Sequence, residues 1–231
     1  MGGILAPVVA EQAISLILAL TRSTVKHHNR LSSGNWKVED FWKFQDQIET
    51  LNGKNLGIIG YGRIGKEIGR LAKAFRMNIL AIRAHPVSDT DVDFMGGPDM
   101  IEHVLSNSDI IVLAVPYTKE TYRMIGEIEL NLMRETSYLI NVSRGQVIDE
   151  TSLYGLLKEN KIAGAGLDVF ENEPLDPVNP ILKLPNVVVT PHAGGAWKAS
   201  APDRCKLISE NIKRVMSGKT PLNLIDLNIG Y

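Results

Sequence analysis

The sequence has almost no cysteine and no surplus of charge of either sign. Cys205 is the only cysteine among 231 residues, so no disulfide can form within the chain. This cysteine usage fits a reducing compartment, and we expect a cytoplasmic location. The formal net charge is −1. Because no basic excess is present, the composition points neither to a nucleic acid nor to an anionic membrane as a partner.

The chain also lacks an uninterrupted apolar run that is long enough to cross a bilayer comfortably. Residues 4–20 come closest, but polar residues such as Glu11 and Ser15 interrupt them, and neither a basic start nor a small-residue cleavage site is present. Apolar residues recur there at helical spacing, and Ile14 and Leu18 add a second apolar face. We therefore expect a helix buried on two sides, against the protein core and against a partner. The first face consists of Val9, Ala13, Leu16, Ile17 and Leu20.

Beyond residue 50, short apolar runs alternate with helical patterns. Runs that are apolar throughout are typical of strands buried on both faces, as in the parallel sheet of an α/β fold. The sequence therefore predicts an α/β, Rossmann-type doubly wound parallel sheet, and no repeat of fixed period is present. The predicted strands are 55–60, 78–83, 109–115, 137–143, 164–169 and 187–190, and the predicted helices are 64–76, 151–159 and 199–216.

A glycine motif, G-x-G-x-x-G, lies between the first predicted strand and the following helix. Gly60 would permit a tight turn, Gly62 would let the backbone approach a pyrophosphate, and Gly65 would let the helix pack closely on the strand. The start of the helix would offer free N–H groups and a partial positive charge to the phosphates, and Arg63 could contact them as well. The motif predicts a cradle for a dinucleotide; a glycine turn without a ligand is the alternative.

The type of residue at the end of the second predicted strand indicates which dinucleotide is bound. NAD enzymes usually place a carboxylate there for the ribose hydroxyls, whereas an arginine suits the 2′-phosphate of NADP. Arg83 follows this strand, and no carboxylate occurs before Asp89. We therefore expect NADP rather than NAD, unless Arg83 is only a solvated loop residue.

Three further segments follow predicted strands, where ligands of parallel sheets collect: NVSRG (141–145), GLDVFENEP (166–174) and TPHAGG (190–195). VVAEQAISLILAL, GKNLGIIGYGRIGKEIG and AVPYTKETYRMI precede them in the same order. In this combination the chain resembles the D-isomer-specific 2-hydroxyacid dehydrogenases of the glyoxylate/hydroxypyruvate reductase type. The resemblance implies hydride transfer between NAD(P)H and a small 2-keto acid or 2-hydroxy acid.

The resemblance also implies that Arg144, Glu173 and His192 form the active site. Arg144 would grip the substrate carboxylate through its planar fork and polarise the carbonyl. His192 would give a proton to the developing alkoxide, and Glu173 on the far ring nitrogen would favour the imidazolium. Taken singly, each has a plainer interpretation: a surface ion pair, a solvated loop carboxylate and a structural histidine.

Further cofactor contacts are implied in the same way. Pro116 and Thr121 would lie beside the adenosine or ribose, Val142 and Ser143 beside the nicotinamide half, and Asp168 would hold the carboxamide unless it is a cap or turn residue. No metal is expected. The complete set of predicted cofactor residues is Gly60, Gly62, Arg63, Ile64, Gly65, Arg83, Pro116, Thr121, Val142, Ser143, Asp168 and Gly194. His27, His28, His85 and His103 are expected at helix ends or in loops, and Cys205 is expected to pack in the closing helix.

The resemblance implies that the chain has three parts and that it forms a dimer. Residues 1–50 would be a crossover helix and linker, 51–196 the dinucleotide-binding domain, and 197–231 a closing helix and tail. The family's substrate domain would be mostly absent, in a truncated fragment or a natural short form. Because the family pairs mainly through the nucleotide domain, we expect a homodimer. The alternative function is a catalytically weak dinucleotide-binding or dimerisation module.

Overall fold

The computed structural model describes residues 2–36, 48–198 and 200–224. Most of the polar segment 32–50, which the sequence predicts to be irregular, lies outside these residues, as does the end of the C-terminal tail.

Seven parallel strands in the described part of the chain form a single sheet. They are β1 (Asn55–Ile59), β2 (Asn78–Ile82), β3 (Phe94–Gly96), β4 (Ile110–Leu113), β5 (Tyr138–Asn141), β6 (Gly164–Leu167) and β7 (Val187–Val189). The spatial order is β3-β2-β1-β4-β5-β6-β7, which reverses direction between β1 and β4, as in a doubly wound nucleotide-binding fold. The predicted α/β fold class is confirmed.

Helices cover both faces of the sheet. The α-helices of the described residues are α1 (Gly2–Thr21), α2 (Thr24–Ser32), α3 (Arg63–Ala74), α4 (Ile101–Asn107), α5 (Glu127–Asn131), α6 (Glu150–Lys158) and α7 (Ser200–Met216). Successive strand residues point to opposite faces. Ile58 accordingly belongs to the core that includes α1 and α3, while Ile59 belongs to the core that includes α4, α5 and α6. Burial on both faces explains why the strands read as continuous apolar runs.

Helix α1 packs on α3 and on strands β5, β6 and β7. The five residues of its predicted first face are buried, and Ile14 is buried as well. Packing is close: a methyl group on Gly166 of β6 would lie 3.0 Å from Cβ of Leu16. Residues 4–21 could cross a membrane by length and composition alone, but 50% of them are buried inside the protein. The first apolar face is therefore buried within the chain, whereas packing of the second face on a partner stays a prediction.

Several short or polar elements were not predicted from the sequence. Helix α2 has no buried residue, and β3, α4 and α5 span only three, seven and five residues, too few to show a period. Consequently, His27 and His28 lie within α2 and His103 within α4, and the prediction that they lie at helix ends or in loops was wrong.

Helix α7 is the predicted closing helix, but none of its residues is buried. Cys205 is exposed, so the prediction that it packs within the protein was wrong. An apolar row is exposed on this helix, comprising Ile208, Ile212, Val215 and Met216. The division of the chain at residues 50 and 196 stays a prediction, although the whole sheet lies between these positions.

Candidate active site

The glycine motif forms the turn between β1 and α3. Gly60 has φ +103°, and a methyl group there would lie 2.6 Å from the backbone of Ala114. A methyl group on Gly65 would lie 2.4 Å from the carbonyl oxygen of Gly60, whereas one on Gly62 would have no atom within 4 Å. The turn is therefore closed at Gly60 and Gly65 and open at Gly62, which is the N-cap of α3. An open backbone at a helix start fits the pyrophosphate of a dinucleotide.

The two arginines predicted near the cofactor differ in their surroundings. The Arg63 guanidinium donates a hydrogen bond to Asn223 in the C-terminal tail. Arg83 is exposed directly after β2 and is anchored through its backbone N–H, which donates to the Gly96 carbonyl at 3.0 Å. Asp89, the first carboxylate after β2, is paired with Lys66 at 2.8 Å. The exposed arginine is therefore the charge nearest in sequence to the end of β2.

The loop after β4 contains Pro116 and Thr121. The Thr121 hydroxyl donates to the Pro116 carbonyl at 2.7 Å, and it accepts the Thr118 N–H at 2.8 Å. This side chain therefore braces its own loop. A cofactor contact by either residue stays a prediction.

The loop after β5 is held by Asn141, which sequence reasoning did not single out. Its Oδ1 accepts from the Ser143 N–H at 3.0 Å and from the Ser143 hydroxyl at 2.7 Å, and its Nδ2 donates to the Arg144 carbonyl at 3.0 Å. Val142 and Ser143 are buried, whereas Arg144 is exposed. A methyl group on Gly145 would lie 1.8 Å from the Phe170 carbonyl carbon. The loops after β5 and β6 therefore lie in direct contact.

Glu173 and His192, which are 19 residues apart, form a hydrogen-bonded pair. Glu173 Oε2 lies 2.7 Å from His192 Nδ1, and Glu173 Oε1 accepts the Phe170 N–H at 3.0 Å. The backbone N–H of His192 donates to the Asp168 carbonyl at 2.7 Å. His192 has φ +53°, a conformation that is uncommon for a residue other than glycine. Neighbouring loops thus hold both members of the pair.

Burial acts to raise the pKa of Glu173, but its hydrogen bonds from His192 and Phe170 N–H, together with the nearby charges of His192 and Arg144, outweigh it, so the pKa lies below the ordinary 4.5. A carboxylate that receives two hydrogen bonds is stabilised in its ionised form. Glu173 is consequently ionised at neutral pH. The contact between Gly145 and Phe170 places the loop of Arg144 beside the loop of Glu173, in agreement with the effect of the Arg144 charge on this carboxyl.

Known proteins share this arrangement of sequence and fold. Residues 14–194 match the family model described as D-isomer specific 2-hydroxyacid dehydrogenase, NAD binding domain. A glyoxylate reductase of Korarchaeum cryptofilum is 40% identical over 228 residues, which cover 98% of this chain and 68% of that protein. The chain belongs to the D-isomer specific 2-hydroxyacid dehydrogenases. The family makes this dehydrogenase an enzyme that transfers hydride between NAD(P)H and a 2-keto or 2-hydroxy acid.

Solved structures of similar proteins share the dehydrogenase fold. A glyoxylate reductase from Paecilomyes thermophila has a TM-score of 0.82 and 30% identity, and the match covers 94% of this chain and 64% of that one. A D-isomer specific 2-hydroxyacid dehydrogenase from Xanthobacter autotrophicus Py2, solved with NADPH and MES, has a TM-score of 0.84 and 27% identity, with 99% and 90% covered.

Asp168 of the dehydrogenase is buried and holds the loop of residues 190–194, here named the His192 loop. Its Oδ1 accepts from the Thr190 hydroxyl at 2.5 Å and from the Ala193 N–H at 2.9 Å. Its Oδ2 accepts from the Gly194 N–H at 2.8 Å. These contacts make Asp168 a brace of the loop, and its predicted bond to a carboxamide stays a prediction. The sequence had not pointed to Thr190, whose only signal was its place in TPHAGG.

Proposed function

We propose that this dehydrogenase reduces glyoxylate or hydroxypyruvate, with NADPH as the preferred cofactor. The observation that carries the proposal is the Glu173–His192 pair, 2.7 Å apart, beside Arg144 at the strand end where dinucleotide-binding folds place their ligands. The relative from Korarchaeum cryptofilum, a glyoxylate reductase, supports this choice of substrate.

In this mechanism the bound nicotinamide cofactor supplies the hydride. Glu173 is ionised and can only accept, so it fixes the proton of His192 on Nδ1 and leaves Nε2 to carry the transferable proton. His192 gives that proton to the alkoxide that forms during reduction, and accepts it in the reverse direction. The exposed Arg144 guanidinium binds the substrate carboxylate and polarises the carbonyl.

The cofactor preference rests on Arg83. Its exposed side chain follows β2, and the next carboxylate, Asp89, is neutralised by Lys66. A guanidinium at this position favours a 2′-phosphate. The neighbour from Xanthobacter autotrophicus was solved with NADPH, which supports the same choice. The phosphate cradle, comprising Gly60, Gly62, Arg63, Ile64 and Gly65, would hold the pyrophosphate, with Gly194 on the nicotinamide side.

We further propose that the protein is a cytoplasmic homodimer and that it binds a small 2-keto or 2-hydroxy acid as its substrate. The single cysteine and the balanced charge support this environment. The competing proposal is a dinucleotide-binding module with weak catalysis. It draws support from length, because the chain spans about two thirds (68%) of the relative from Korarchaeum cryptofilum.

Turnover decides between these two functions. We expect the wild-type chain to oxidise NADPH in the presence of glyoxylate or hydroxypyruvate, and His192→Ala to lower kcat/KM by about 10²–10⁴-fold through loss of the proton donor. His28→Ala, an exposed change on α2, is the matched control and should leave kcat/KM unchanged. Wild-type protein that binds NADPH yet reduces neither acid would favour the module.

Arg83→Asp tests the cofactor assignment. We expect the ratio of the Kd values for NADPH and NADH to shift toward NADH by at least about tenfold, since a carboxylate repels the 2′-phosphate and accepts from ribose hydroxyls. Fluorescence titration measures both constants. Arg76→Asp, an exposed change just before β2 at its opposite end, is the control. A wild-type chain that binds NADH more tightly than NADPH would contradict the assignment.

A further inference from the structure

A chain of hydrogen bonds connects α1 to the His192 loop. Gln12 Nε2 lies 2.8 Å from the Thr190 hydroxyl, and this hydroxyl lies 2.5 Å from Asp168 Oδ1. The Thr190 hydroxyl donates its one proton to Asp168 Oδ1, whose carboxyl also accepts two backbone N–H groups, and the hydroxyl accepts from the Gln12 amide. The direction of both bonds is therefore determined. Gln12 and Thr190 are 178 residues apart in sequence, so no local pattern reveals their contact.

The same buried carboxylate fixes both sides of His192. Thr190 precedes His192, and the N–H groups of Ala193 and Gly194, which follow it, donate to Asp168 at 2.9 and 2.8 Å. His192 itself holds φ +53°. A residue in this sparsely populated region stays there only when its surroundings impose it. The backbone geometry of His192 therefore depends on the bonds made to Asp168.

Gln12 also touches the loop directly. A methyl group on Gly194 would lie 2.8 Å from Asp168 Oδ2 and 3.3 Å from Gln12 Cγ. The Gln12 stem and the Asp168 carboxylate therefore both lie against the same side of Gly194. Any change in the position of the Gln12 side chain acts on the His192 loop through packing as well as through the hydrogen bond.

We propose that Gln12 is a positioning residue for the reaction, which orients the Thr190 hydroxyl toward Asp168 and so holds His192 in its left-handed conformation. The proposal rests on the proposed function of His192 as proton donor. It assigns a catalytic consequence to a polar side chain on α1, a helix whose buried residues are apolar apart from Thr21, which bonds to its own helix. Gln12 touches neither substrate nor cofactor in this role, so its removal lowers kcat more than it weakens cofactor binding.

Two substitutions separate the hydrogen bond from the packing. Gln12→Met keeps the length and helix preference of the side chain and removes the donor; we expect kcat to fall about tenfold, with the Kd of NADPH changed less than about twofold. Gln12→Glu introduces a carboxylate that competes with Asp168 for the Thr190 proton, so kcat should fall further at neutral pH. Below about pH 5 the introduced carboxyl is protonated and becomes a donor. The ratio of the kcat of Gln12→Glu to the kcat of Gln12→Met should therefore rise. Glu11→Gln, exposed on the same helix, is the control.

The second test combines the substitutions of Gln12 and Thr190 in one protein. If the two side chains act as one unit, Gln12→Met combined with Thr190→Val should lose no more kcat than the larger single loss. Losses that multiply would overturn the proposal, as would a Gln12→Met kcat equal to that of Glu11→Gln. A loss confined to the Kd of NADPH would overturn it as well.

The state of the His192 ring can be read without turnover. In NMR spectra of the cofactor-bound protein, Gln12→Met should shift the ring resonances of His192, while Glu11→Gln should not. Unchanged His192 resonances in Gln12→Met would overturn the proposal. A wild-type chain without turnover would refute the proposed function instead, and the NMR comparison would still decide the link between Gln12 and His192.

Discussion

Gly60, Gly62 and Gly65 share a single turn, yet a methyl group at each would meet different surroundings. At Gly65 it would lie 2.4 Å from a backbone oxygen, whereas at Gly62 no atom lies within 4 Å. Gly62 has φ −90°, which any residue can adopt. Nothing within the described protein therefore requires glycine at this position, and only the proposed approach of a pyrophosphate to the backbone gives a reason for it.

Gly62→Ala and Gly65→Ala should for this reason have separate effects. We expect Gly62→Ala to change the free energy of unfolding by less than about 1 kcal/mol and to raise the Kd of NADPH at least about tenfold, because the methyl group occupies the approach to the helix start. Gly65→Ala should cost about 1–3 kcal/mol by overpacking. Urea denaturation and fluorescence titration check the two changes. Equal NADPH affinity of Gly62→Ala and wild type would show that no phosphate lies there.

At the scale of residues, the sequence predicts the candidate site residues that are recognised by their order and spacing along the chain. The three glycines, and the order of Arg144, Glu173 and His192, can be read from the chain alone. What Asp168 does cannot be read in this way. Its partners Thr190, Ala193 and Gly194 lie beyond a loop and a strand, and their distances arise only when β6 and β7 pair.

At the scale of elements, α1 shows why apolar periodicity is a strong signal. Its apolar residues pack on the sheet and on α3, and Ile17 has 0% exposure. The partner predicted from the second apolar face, which includes the partly buried Leu18, stays a prediction. Helix α7 was predicted although none of its residues is buried, whereas α2, also without a buried residue, was not predicted. An apolar pattern, whether or not the chain itself buries it, is thus what makes an element predictable.

Substitutions on α1 and α2 should differ in proportion to burial. Ile17→Ala should lower the free energy of unfolding by about 2–5 kcal/mol, because it removes buried methyl groups and leaves a cavity beside the sheet. Val25→Ala on α2, where the side chain is 45% exposed, should change it by less than about 0.5 kcal/mol. Urea denaturation of both variants checks this difference. A loss below about 1 kcal/mol for Ile17→Ala would mean that α1 is not part of the cooperative core.

At the scale of the whole molecule, acid should weaken the fold through its carboxyl groups. Side-chain hydrogen bonds lower the pKa of several of them, namely Glu67, Asp89, Asp93, Glu120, Glu159 and Glu173. A carboxyl whose pKa is lower when folded contributes stability above its ordinary pKa, and this stability is lost as pH falls through the folded value. Exposed ion pairs such as Glu159–Lys161 contribute little, because water and salt screen them.

Glu173 differs from these exposed groups because it joins two loops. Its carboxylate accepts from the Phe170 N–H and contacts His192. Glu173→Gln should therefore destabilise the protein more at about pH 6 than at about pH 3, because the wild-type carboxyl takes up its proton as pH falls through its lowered pKa. Urea denaturation at both pH values measures the difference between the variant and the wild type. Glu159→Gln should show little difference from the wild type at either pH. If the difference in the free energy of unfolding between Glu173→Gln and the wild type does not shrink with acid, the ionised pair does not hold the two loops together. The geometry of the site would then have to come from the backbone contacts of Asp168 alone.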